Sequence, residues 1–341
     1  MDGLEEYRLI DIADSTEDIP VLDIAPFLAG EPGARERIGA ELRRISETIG
    51  FFYLTGHGVP QDLVDGAFAQ SKRFHEQPYE IRSQMPKRKR GGYTAHEEKK
   101  AGLRSSYVLY REMEPGDPRL DPENPYRLDN SWPDNLPGFR EAILAYYDAT
   151  EKMALAMMPL WAEALELPPD YFARFFNDPY LALSLIYYPP QKVVGNGIYG
   201  VRPHTDNTVM TVLAQHDVPG LAVRMPSGRW RVADVKPGAF MINSGNTMTR
   251  WTNGRFLSTK HRVINISDKP RYSIPFFLGT DLDAVLECLP TCTDAEDPPQ
   301  YDPITYKDLQ DWFFFSSDYV EVPLNRQRAW ERRMPGTHLK T

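Results

Sequence analysis

Val201-Arg-Pro-His-Thr-Asp-Asn-Thr-Val-Met-Thr-Val-Leu-Ala-Gln215 reads as a short extended stretch that runs into an apolar strand. Side chains at i and i+2 of a strand point to the same side. His204 and Asp206 therefore aim at one point, and Thr205 turns away. A lone His261 follows much later, in Lys260-His-Arg-Val-Ile-Asn-Ile266, a second run rich in β-branched residues. Arg271-Tyr-Ser273 comes on the strand after that. Two imidazoles and one carboxylate on one face of a metal leave three positions open, a donor set that suits iron(II). Arg271 and Ser273, again two apart, share a face. A guanidinium fork matches a carboxylate with two parallel hydrogen bonds.

Each piece alone has a plain alternative. A His-x-Asp tripeptide arises by chance in many chains, and a single His is more often a core or surface residue than a ligand. Arg271, beside Pro270 at a strand start, reads equally well as half of a surface salt bridge. The ordered combination is the specific signal.

Outward from this region the chain resembles the isopenicillin N synthase-like family of Fe(II)/2-oxoglutarate-dependent oxygenases, from about Asp18 to about Tyr319. Ile19-Pro-Val-Leu-Asp-Ile24 and Gly50-Phe-Phe-Tyr-Leu-Thr-Gly-His-Gly58 resemble the family's N-terminal region. Tyr187-Tyr-Pro-Pro190, Trp251-Thr-Asn-Gly254, Ser258-Thr-Lys-His-Arg-Val263 and Arg271-Tyr-Ser-Ile-Pro-Phe-Phe277 resemble its later motifs. The resemblance implies a mixed α+β fold: a double-stranded β-helix, or jelly roll, with flanking helices. It implies that His204, Asp206 and His261 hold Fe(II), while Arg271, Ser273 and Tyr188 hold 2-oxoglutarate. The reaction it implies consumes O2 and decarboxylates 2-oxoglutarate to succinate and CO2. That is coupled to oxidation of an unactivated C–H bond by hydroxylation, desaturation or ring closure, with ascorbate helpful in vitro. An oxidase of the isopenicillin N synthase type, needing iron and O2 but no 2-oxoglutarate, fits the same motifs. So does a binding or sensor protein on the same barrel, although an intact ligand set argues against that.

Substrate contacts are expected from the loop between Gly92 and Tyr110, from the segment just before the metal strand and from the C-terminal helix. Arg104, Tyr107, Tyr110, Ile198 and Phe313 are the candidates. The chain departs from its relatives at Ile186, where a polar Asn is usual, and at Arg104-Ser-Ser-Tyr107, which lacks their acidic residues. The substrate therefore cannot be copied from a relative. Asn243-Ser-Gly-Asn246 reads as a turn.

The chain has 341 residues, enough to bury a sizeable core. Charged residues make up 26% and hydrophobic ones 41%, an ordinary globular mix that implies no disorder. The net charge of −9 speaks against a nucleic-acid partner. Lys87-Arg-Lys-Arg90 reads as a solvated loop, and Cys288 and Cys292 as free thiols. No apolar run is long enough to span a membrane, and the acidic Met1-Asp-Gly-Leu-Glu-Glu-Tyr7 does not read as a signal peptide. The expected setting is the cytoplasm, as a monomer or homodimer acting on a small molecule.

Ile38, Leu42, Ile45 and Ile49 recur at helical spacing and predict an amphipathic helix that stops at Gly50. A long helix is expected from Gly138 to Leu165, kinked or broken at Pro159. Strands follow from about Leu181, including a hairpin around Pro226-Ser-Gly228. The organisation expected is a mostly helical region over 1–180 packed on the barrel, a jelly-roll core over 181–285, and a loop and helix over 286–341 covering the site.

Overall fold

In the computed structural model two sheets lie face to face, and residues 17–86, 91–94, 104–121, 123–190, 199–265 and 267–315 are described. The strands are β1 (Val21–Asp23), β2 (Phe51–Thr55), β3 (Gly92–Thr94), β4 (Ser105–Tyr110), β5 (Pro179–Tyr188), β6 (Val201–His204) and β7 (Met210–Gln215). They continue with β8 (Leu221–Arg224), β9 (Trp230–Val232), β10 (Phe240–Ser244), β11 (His261–Val263), β12 (Arg271–Asp281), β13 (Val285–Leu286) and β14 (Ile304–Thr305). The major sheet runs β1-β2-β10-β7-β12-β5-β4-β3, and the minor one β6-β11-β8-β9. Facing, mainly antiparallel sheets of this kind form a jelly roll with room for a ligand between them.

The first third of the chain does more than pack helices on a barrel. β1 to β4 all join the major sheet, β1 parallel to β2 and β4 antiparallel to β5. Their short runs, Val-Leu-Asp and Ser-Ser-Tyr-Val-Leu-Tyr, are strands because the sheet edges supply their hydrogen bonds, which local patterning does not reveal.

The main helices are α1 (Ala34–Thr48), α2 (Gln61–His75), α3 (Phe139–Ala156), α4 (Met158–Ala164), α5 (Asn246–Trp251) and α6 (Tyr306–Phe315). α1 buries Ile38, Leu42 and Ile45, and Gly50 follows at φ +64, a left-handed conformation that only glycine adopts cheaply. The expected long helix is two: α3 ends at Ala156, and Pro159 sits in the first turn of α4. A proline there lacks only an amide hydrogen that has no partner in the helix anyway.

His75 closes α2 deep in the core, 4% exposed. Its Nε2 donates to the Leu185 carbonyl (3.1 Å), and its Nδ1 accepts from the Ser105 hydroxyl (3.1 Å). Burial drives its pKa down to about 3, against the pull of the Leu185 carbonyl. In the unfolded chain the ring takes up a proton near pH 6.5. The stability tied to the neutral ring is therefore complete above about pH 6.5 and is lost as the pH falls toward 3, at up to ~1.4 kcal/mol per pH unit. His75→Gln should flatten the fall in denaturant-unfolding free energy between pH 6.5 and 4.5 by up to about one proton. Identical slopes for the two proteins would contradict this.

Candidate active site: a metal-ligating triad and its cavity

β6 and β11 pair so that His204 stands directly opposite His261. Asp206 lies just past the end of β6, in the connection to β7, rather than on the strand. The Asn246 amide donates to its carbonyl (2.8 Å) and anchors that connection to the start of α5. The three side chains nevertheless meet. His204 Nε2 and His261 Nε2 each lie 3.6 Å from Asp206 Oδ1, and the donor atoms of all three sit within 4.8 Å of one another. Among the described residues no other His, Cys, Asp or Glu trio converges in this way.

The hydrogen bonds around the triad decide what it can bind. His204 Nδ1 donates to the Arg202 carbonyl (2.8 Å) and His261 Nδ1 to the Thr259 carbonyl (3.1 Å). A carbonyl only accepts, so each Nδ1 carries a proton, and Nε2 is the ring nitrogen left to turn toward a metal. Burial against protein and the neighbouring His261 bring the His204 pKa down to about 4, so that ring is neutral at pH 7. Burial pushes the Asp206 pKa up, but the imidazoles and the hydrogen bonds from Thr211 and Asn243 outweigh it and hold the carboxyl below its usual value. A carboxylate thus faces the neutral His204 ring and His261, and the three converge as a donor set for a cation. Nitrogen and oxygen donors of this number fit iron(II).

Asp206 is also oriented. Its Oδ2 accepts from the Thr211 hydroxyl (2.6 Å) and the Asn243 amide (2.8 Å), which leaves Oδ1 for the histidines' side. Sequence reading missed both partners. Thr211 was one more β-branched residue of a strand, and Asn243, read as the last residue of the strand from Gly238 and the first of a turn, is a buried residue of β10 whose side chain gave no sign of this role.

Arg271 begins β12, opposite Tyr188 of β5. It is 0% exposed, yet no carboxylate among the described residues reaches it. Nη1 donates to Ser273 Oγ (3.3 Å), the Tyr188 ring lies 4.9 Å from the guanidinium carbon, and among the described residues Nε and Nη2 have no hydrogen-bond partner. Burial pulls its pKa below the ordinary value, opposed by the Tyr188 side chain, and arginine remains charged regardless. Glycines make the space: a Cβ on Gly220 would stand 2.9 Å from Arg271 Cδ, and one on Gly200 2.6 Å from the Tyr188 ring. An orphaned, desolvated guanidinium of this kind calls for an anion.

A cavity of about 380 Å³ opens beside the triad. Arg104, Tyr110 and Phe313 line it, as does Ile186, together with His204 and Asp206. Tyr107 does not. The segment 105–110 is a strand rather than a loop, so Ser106, Val108 and Tyr110 turn to the cavity while Tyr107 turns the other way. Its ring is 0% exposed, with centroids 4.8 Å from Phe74 and 5.8 Å from Phe139 under the helices. Tyr107 is a core residue. Ile198 lies outside the described residues, as does the basic run at Lys87–Arg90. Ser106, Ser184 and Gln310 also line the cavity and were not foreseen. The strand period would have revealed Ser106 once β4 was recognised.

The chain is similar to known proteins along most of its length. Residues 179–280 match the family model of the 2OG-Fe(II) oxygenase superfamily, and residues 19–135 that of the non-haem dioxygenase in morphine synthesis N-terminal region. The 2-oxoglutarate-Fe(II) type oxidoreductase hxnY of Emericella nidulans is 32% identical over 308 residues, which cover 85% of this chain and 87% of that one. The structure of a full-length Neurospora crassa protein in complex with alpha-KG superposes with a TM-score of 0.80 at 25% identity, covering 89% of this chain and 98% of that one. The rice dioxygenase for auxin oxidation does so with a TM-score of 0.71 at 27% identity, covering 88% and 96%.

The chain belongs to the 2OG-Fe(II) oxygenase superfamily. It is an Fe(II)- and 2-oxoglutarate-dependent dioxygenase with a jelly-roll core. Cys288 and Cys292 are free thiols. Among the described residues no helix is long and apolar enough to cross a membrane.

Proposed function

We propose that His204, Asp206 and His261 hold the iron, that Arg271, Ser273 and Tyr188 receive the far carboxylate of 2-oxoglutarate, and that the substrate enters the cavity lined by Arg104, Tyr110 and Phe313. Arg271 carries this reading: a fully buried cation with two nitrogen positions unpartnered among the described residues, on a strand of the facing sheet, needs an anion supplied from outside. Bound iron supplies the redox chemistry that couples decarboxylation of 2-oxoglutarate to oxidation of a substrate C–H bond. The chain's own part is to bind, orient and exclude water. The Nδ1 hydrogen bonds turn the two Nε2 atoms toward one point, Thr211 and Asn243 fix the carboxylate, and the apolar walls Val108, Ile186 and Phe277 keep water from the reacting bond.

We read residues 1–180, 181–285 and 286–341 as one catalytic unit, working in the cytoplasm as a monomer or homodimer. The net charge of −9 supports a reading without nucleic acid. Metal removal tests the assignment. Chelator-treated protein should form no succinate from 2-oxoglutarate in air and should recover on adding Fe(II), whereas His204→Ala should not recover. Succinate formation by His204→Ala at the wild-type rate would overturn the ligand assignment.

A further inference from the structure

The cavity walls carry polar groups that the iron and co-substrate roles leave unused. Among its described lining residues Arg104 is the one cation, and Asp206, committed to the metal, is the one acid. Arg104 precedes β4 directly, and Ser106 follows two residues on with its side chain on the cavity. Arg104 makes no ion pair or hydrogen bond among the described residues. Gln310 of α6, from the covering helix, is only 2% exposed, and its carboxamide likewise has no partner there. Ser184 of β5, 6% exposed, adds a hydroxyl, and Val108, Ile186 and Phe277 are the apolar surface between these groups.

Buried carboxamides and hydroxyls without partners are costly, and a free guanidinium on a cavity wall matches a carboxylate in geometry as well as charge. The apolar surface of Val108, Ile186 and Phe277 between them suits a largely apolar body. We propose that the substrate is a small monocarboxylic acid with a largely apolar body, its carboxylate on Arg104 and Ser106 and a polar atom toward Gln310. This rests on the site reading above and narrows it. Arg104 is then a specificity residue, separate from Arg271, which serves the co-substrate.

The test uses matched pairs: phenylacetate against phenylacetamide, benzoate against benzamide, and indole-3-carboxylate against its amide. Each is titrated under argon into full-length protein already loaded with Fe(II) and 2-oxoglutarate, and the shift of the visible band of that complex reports binding. At least one acid should bind on the order of tenfold more tightly than its amide, the worth of a charge-assisted hydrogen bond. Arg104→Gln should erase that preference, and Arg104→Lys should restore part of it, with 2-oxoglutarate still binding in both variants. If no acid outbinds its amide, or the preference survives Arg104→Gln, the proposal fails. If Arg104→Gln instead weakens 2-oxoglutarate itself, Arg104 belongs to the co-substrate and the proposal fails too. Failure of the underlying site reading looks different: the wild type would give no band before any acid is added.

Discussion

Arg271→Met is expected to weaken 2-oxoglutarate binding by on the order of a hundredfold or more, because removing one partner of a buried charge pair costs ~2–5 kcal/mol. Iron affinity should stay within about twofold, since Arg271 is held by Ser273 and Tyr188 rather than by the triad. The same change should not destabilise the protein without ligand. In that state a guanidinium whose Nε and Nη2 are unpartnered among the described residues is buried at a net cost, and a methionine of similar length relieves it. The expected signature is therefore split: an unchanged or raised thermal midpoint for the apoprotein, and loss of the further rise that 2-oxoglutarate gives the wild type. Isothermal titration with Fe(II) present and differential scanning calorimetry read the two halves. A 2-oxoglutarate affinity within threefold of wild type would remove Arg271 from the site.

The second large effect concerns Asp206. Asp206→Ala should abolish iron binding, because it removes the one anion of the triad. The hydrogen-bonded shell should matter nearly as much. Thr211→Val and Asn243→Ala each remove a donor to Oδ2, and losses of such supporting partners typically lower metal affinity by ~10–100-fold. Both donors act on one atom, so the double variant should lose less than the product of the single losses. Competition for Fe(II) against a chromophoric chelator under argon measures this, with circular dichroism confirming that the variants fold. Single variants that bind iron like wild type would show that Asp206 needs no orienting shell.

The outline of the site was legible because its chemistry is local in sequence. His204-Thr-Asp206 and Arg271-Tyr-Ser273 each place two groups two residues apart, and lone His261 stands in a β-branched run. Their convergence is explained by register: β6 against β11 sets His204 across from His261, and β12 against β5 sets Arg271 across from Tyr188. Period-two reasoning worked for Arg271 and Ser273, both on β12, but covered His204 and Asp206 only in part, since Asp206 falls beyond the strand. It would also have excluded Tyr107 from the cavity had β4 been recognised. That strand carries too few β-branched residues to announce itself and owes its existence to β5 beside it. Thr211 and Asn243 were out of reach for a different reason. Their role depends on β7 and β10 pairing with each other, a long-range fact that leaves no mark on either segment alone.

One centre is expected to hold iron and 2-oxoglutarate together. An anaerobic titration of Fe(II)-loaded protein with 2-oxoglutarate, followed through the weak visible charge-transfer band of the chelate, tests it without any substrate. A saturable band with one equivalent of each, lost in His204→Ala and shifted to much higher 2-oxoglutarate concentrations in Arg271→Met, is the predicted result. Stoichiometric iron with no band at any 2-oxoglutarate concentration would contradict it.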